Sequence, residues 1–189
     1  MNRLLAILLL MLGVACAVPQ AIAADTPEEF AARYLESIRK NGMKDLGSFI
    51  HPDEIKKLAD LIVELADTAA AGDKAETIPF LKKGENAETL RKLSSAEIAN
   101  RFFGWINEAI PQLTEMLKTA EVKTIGHVTD GDTVYVVAKL SFTMEGEVIN
   151  GTDVLPLRRD GENYKALLKA EMTGILKAMK KAALRKGSK

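Results

Sequence analysis

Two periodicities divide the chain. Apolar residues recur at helical spacing from residue 26 to 120, alternate with period two from 121 to 169, and return to helical spacing from 170 to 186. In "DTPEEFAARYLESIRKNG", Thr26 and Glu29 have the spacing of a capping box, Pro27 suits a first helical position, and Asn41-Gly42 supplies an exit. Phe30, Tyr34 and Ile38 recur every four residues with Ala31 and Leu35 beside them, which makes one stripe directed at a core. From Ile55 the apolar positions Leu58, Ala59, Ile62, Leu65, Ala66 and Ala69 hold the same period until Gly72.

Residues 73–93 lose the period at Pro79 and Gly84, so they predict a connection with one short helix, pinned by Phe80 and Leu81. Ser94 and Glu97 form a second box. The helix behind it is apolar on more than half its girth, through Ile98, Phe102, Phe103, Ile106, Ile110, Leu113 and Met116, and Pro111 must kink or split it. From Glu121 the turn signals Asp130-Gly131, Gly146, Asn150-Gly151 and Asp160-Gly161 punctuate strands near 121–129, 133–144, 147–159 and 163–169. Val134, Val136, Ala138, Leu140 and Phe142 line one face of the second strand, opposite Tyr135, Val137, Lys139 and Ser141. The last helix has an apolar stripe of Met172, Ile175, Leu176, Met179 and Ala183, with Lys177, Lys180, Lys181 and Arg185 outside it. Helices followed by an antiparallel meander make an α+β domain over 25–189, closed by a basic helix.

Residues 1–24 stand apart. Arg3, an apolar run from Leu4 to Val18, and Ala21-Ile22-Ala23 have the build of a cleaved secretory signal peptide. The run, about 15 residues, is shorter than the roughly 20 that span a bilayer. The only cysteine, Cys16, lies in this leader with Gly13 three residues before it, a poor lipidation context, so a plain cut is expected and the processed chain carries no thiol. The protein is expected in the periplasm or beyond. The whole chain balances 26 basic against 26 acidic residues, and this removes the basic excess that a nucleic-acid backbone requires.

Candidate chemistry is sparse. "SFIHPDE" places His51, Asp53 and Glu54 around Pro52, which suits a helix start with carboxylates at the positive end of its dipole. The same residues would form an acid/base site only if His51 pointed into a pocket. His127, Asp130 and Asp132 could be drawn as a ligand set, but Asp-Gly-Asp is what a tight hairpin needs, and one histidine makes a poor metal site. No metal and no cofactor are expected, since phosphate loop, serine elbow and paired zinc spacing are all missing from the sequence.

The opening "FAARYLESIRKNGMKDLGSFIHPDEI", with "VYVVAKLSF" and "VLPLRRDGENYKALL" toward the end, resembles the nuclear transport factor 2-like superfamily. That resemblance implies helices packed on a curved four-stranded antiparallel sheet to form a cone, a pocket between the two layers, and pairing of two copies through the open sheet face. It marks a fold and not an activity. Two functions are open on this reading. One is a non-catalytic binding or accessory protein holding an apolar ligand or a protein partner, with Tyr34, Phe102, Trp105, Tyr135 and Phe142 as pocket candidates. The other is a small lyase or isomerase using His51, Asp53 or Tyr34 as its acid/base residue. The sequence favours the first, and residues 177–189 add a basic surface that could meet anionic lipid.

Overall fold

The computed structural model describes residues 25–71, 78–144 and 146–185. Residues 1–24, where a signal peptide is expected, and Lys186 to Lys189 of the basic tail lie outside them. The helical part comprises α1 (Pro27–Asn41), α2 (Leu46–Phe49), α3 (Pro52–Ala71), α4 (Ala87–Leu90), α5 (Ser95–Ala109) and α6 (Pro111–Lys118). Strands β1 (Glu121–Asp130), β2 (Thr133–Met144), β3 (Glu147–Asp160) and β4 (Asn163–Ala166) follow, and α7 (Ala170–Arg185) closes the chain. The molecule is an α+β protein, with helices against an open four-stranded antiparallel sheet in the order β1-β2-β3-β4.

Local chemistry sets the helix boundaries. Thr26 with Glu29 and Ser94 with Glu97 close both expected capping boxes, and Asn86 with Thr89 closes a third at α4. Each box satisfies two backbone donors that a helix start would otherwise leave unpaired. Pro111 splits the long apolar helix in two: Ile110 ends α5 and begins α6 with φ −127° and ψ 69°, outside helical geometry. No backbone N–H is lost, because proline takes the first turn of α6.

Helix α3 is the centre of the helical half, packed between α5 and α7. Leu58, Ile62 and Leu65 are at most 1% exposed there, and burying each stabilises the fold by roughly 1.5–3 kcal/mol before conformational entropy is counted. Phe102, Phe103 and Ile106 answer them from α5. Phe80 reaches over from the connection and meets the rings of Phe102 and Trp105 at centroid distances of 5.5 and 5.6 Å. Arg101 and Glu85, 2.6 Å apart, fasten the same connection to α5.

Helix α1 lies across β1, β2 and β4. Ile50 then forms a parallel bridge to Ala166, and the His51 N–H donates to the Ala166 carbonyl at 2.9 Å, so the start of α3 is stitched to the edge of the sheet. In the register, Val136 faces Leu155, and Ala138 faces Asp153 and Thr124, all on the helix-covered side. A bulge at Ile125 separates the pair Thr124–Ala138 from the pair Gly126–Val137. The other side of the sheet leaves Ile125, Val128, Tyr135 and Val154 exposed. Helix α7 buries Leu176 and pairs Lys180 with Glu64 of α3, while Lys177 and Lys181 face solvent. Among the described residues no helix is long and apolar enough to cross a membrane.

Candidate functional site

The inward apolar stripes are not all covered. On α1, Phe30 and Ala31 are buried, but Tyr34, Leu35 and Ile38 farther along the same helix are half-exposed. On β2, Val134, Val136 and Ala138 are buried, whereas Leu140 and Phe142 are not. Met116 and Leu117 of α6 and Met172 of α7 share this condition. All of these residues line one cavity of about 890 Å³ between α1, α6, the start of α7 and the sheet. Ile50 and Leu155, both buried, lie on the packed part of its wall. Its size falls in the range of about 300–1,000 Å³ typical of small-molecule pockets, and so does its mainly aliphatic lining.

Few polar side chains reach this space. Asp153 of β3 lies in phase with Leu155 and Leu157 and therefore faces inward. Both of its carboxylate oxygens accept from the Lys169 ammonium, at 2.5 Å each. Tyr34 packs its ring on Phe30 and Phe49, with centroids 6.4 and 5.8 Å away. Burial, and then the charge of Asp153, push the Tyr34 hydroxyl above the usual phenol range, so it stays protonated. On the wall formed by α1, Arg39 donates twice to Glu36, at 2.7 and 2.8 Å. Those bonds, followed by Lys40, bring the Glu36 carboxyl down from 4.5 to about 2.

The sequence candidates separate into three places. Tyr34 and Phe142 line the cavity. Phe102 and Trp105 do not: the helical turn of α5 points them at Phe80, where Phe102 is fully enclosed. Tyr135 lies on the exposed face of the sheet, because period-two alternation sets it opposite Val134 and Val136. His51 and Asp53 are together but far from Tyr34 in function, since neither lines the cavity. Ile50 faces inward, so His51, the next residue in the bridged segment, faces the opposite side beside Arg158.

At that position His51 is the cap of α3. Its carbonyl accepts from the N–H groups of Glu54 and Ile55, and its Nδ1 accepts from the Asp53 N–H at 3.2 Å. The Arg158 guanidinium lies 3.0 Å from the same Nδ1 and donates to the Asp53 carboxylate at 2.8 Å. Two donors on one ring nitrogen put the ring proton on Nε2. His127 is occupied elsewhere, 2.6 Å from Glu28 at the start of α1. That contact holds the Glu28 carboxyl below its ordinary range. Asp132 faces Arg158, and among the described residues no group of three or more histidine, cysteine or acidic side chains is arranged to hold a metal.

Asp153 and Lys169 were open to discovery from sequence. A carboxylate in phase with Leu155 and Leu157 on a strand is a buried-face charge that needs a partner, and Lys169 at the end of the meander is near enough in sequence to supply one. What fold and site together define is an α+β domain with an apolar cavity between its helices and its sheet. No family model matches the chain, and neither a curated protein nor a solved structure matches it.

Proposed function

We propose that this protein is an exported, non-catalytic binding protein that holds an apolar ligand in the cavity between α1, α6, α7 and the sheet. The observation that carries this reading is the convergence of half-covered apolar positions from four elements on one space. Close packing is the rule in protein interiors, and isolated gaps larger than a water molecule are few. Leu35, Ile38, Met116, Leu140, Phe142 and Met172 each forgo burial at the same place, which is economical only if something apolar completes the layer.

The cavity offers little to an enzyme. Its inward carboxylate is closed on Lys169, and the histidine that could work as a base is spent on capping α3 and facing Arg158. The nuclear transport factor 2-like cone is part of the same proposal, supported by the order of helices before meander and by the Ile50–Ala166 joint that leads into "HPDE". Export is supported by the composition of residues 1–24.

The test uses Nile red, a neutral apolar dye that brightens out of water. The processed protein should bind it, and Ala138→Phe, which grows a ring from the cavity wall, should abolish the signal with circular dichroism unchanged. Equal dye binding by wild type and variant would sink the assignment. Native mass spectrometry of protein taken from its own host should show a bound apolar mass.

A further inference from the structure

We propose that the cavity selects an uncharged amphiphile, a long apolar molecule with one hydroxyl or carbonyl oxygen such as a long-chain alcohol, and turns away the matching carboxylate. This rests on the reading of the cavity as a ligand site and names the chemistry of its occupant.

The lining carries three carboxylates, Glu36, Glu121 and Asp153, against two cations, Arg39 and Lys169. Both cations are already engaged: Arg39 grips Glu36 through two nitrogens, and Lys169 bridges both oxygens of Asp153. An anionic head would have to break one of these pairs and then face the carboxylate it displaced. Both pairs are partly exposed, with side-chain exposures of 35–45%, so like charges so placed disfavour a complex only modestly. A carboxylate head is therefore disfavoured at Lys169, whose charge Asp153 already balances.

The hydroxyls are the groups left for a ligand. Tyr34 and Thr124 line the cavity, and neither side-chain oxygen has a hydrogen-bond partner among the described residues. No buried side-chain oxygen in the described residues is sealed without a partner, so the Tyr34 hydroxyl keeps a contact with open space beside the cavity that its residue lines. A phenol both donates and accepts, which suits an alcohol or a carbonyl equally. A pure hydrocarbon would cover that hydroxyl and leave it unpaired, at a cost in affinity.

Displacement of Nile red by dodecanol, dodecanoate and dodecane at about pH 8, where the acid is ionised, separates the alternatives. Dodecanol should displace the dye at a concentration on the order of tenfold lower than dodecanoate. Tyr34→Phe should weaken dodecanol by about two- to tenfold and strengthen dodecane. Asp153→Asn frees Lys169 and should bring dodecanoate level with dodecanol or ahead of it. Dodecanoate matching dodecanol on the wild type, or a preference that survives both substitutions, would overturn the proposal. Dye binding that Ala138→Phe abolishes, combined with that result, removes the headgroup assignment and keeps the ligand site. Dye that never binds removes both.

Discussion

At His51 a single side chain joins three parts of the molecule. Its backbone N–H is bonded to β4, its ring caps α3, and the ring also faces Arg158 from β3. Replacing a capping side chain with alanine costs about 0.5–2 kcal/mol. His51→Ala should reach the upper part of that span in urea denaturation, because Arg158 loses a neighbour at the same time. Asparagine, a good cap, should recover most of the loss at this position. Neither change should alter Nile red binding, since the ring and the cavity lie on opposite sides of the sheet; a loss of binding without a loss of stability would return His51 to the list of working residues.

At the level of elements, the turn after α1 depends on backbone freedom. Gly42 sits at φ 63° and ψ −142°, a conformation that costs other residues about 1–3 kcal/mol. A Cβ there would come within 2.0 Å of the Asn107 Oδ1 atom, which accepts from the Met43 N–H at 3.2 Å. Gly42→Ala should therefore lower stability by roughly 1–3 kcal/mol or more and loosen α1 from α5. Gly104 is the control. It lies in α5 with open space around its missing Cβ, so Gly104→Ala should be neutral or gain up to about 1 kcal/mol.

The same elements show what a linear pattern conveys. Capping boxes at Thr26 and Ser94, the break at Pro111 and the alternation of β2 follow from near neighbours, and all can be read along the chain. Phe102 and Trp105 could not be assigned that way. Helical spacing says that α5 is apolar on several sides, but it does not say which side meets Phe80 and which meets a void. Tyr135 is the converse case: an aromatic suits a pocket, yet strand parity sends it outward. The cavity itself is a matter of distance between layers, and no periodicity encodes how far α1 stands from Leu140.

Across the whole molecule, packing is uneven. The half around α3 and α5 is filled by Leu58, Ile62, Phe102 and Phe103, whereas the half around α1, α6 and the open ends of β2 and β3 encloses the cavity. Local opening follows contact density, so amide hydrogen exchange should be faster in α6 and the second half of α1 than in α3. A bound apolar ligand should slow it there, and should raise the melting temperature with ligand concentration as mass action requires. Uniform exchange over both halves, unchanged by dodecanol, would contradict this picture.

The extra residue at Ile125 gives β1 two phases. Before it, Val122 and Thr124 face the cavity; after it, His127 pairs across from Val136 and reaches Glu28 on α1. Without the bulge, strict alternation would turn His127 outward and bring Val128 in. Ile125 thus works like a comma between two clauses of one strand. Deleting it would set Thr124 and Gly126 side by side opposite Ala138 and Val137 and keep His127 facing Val136, whereas pairing it into the ladder would turn His127 outward and take from α1 its hold on the far end of the sheet.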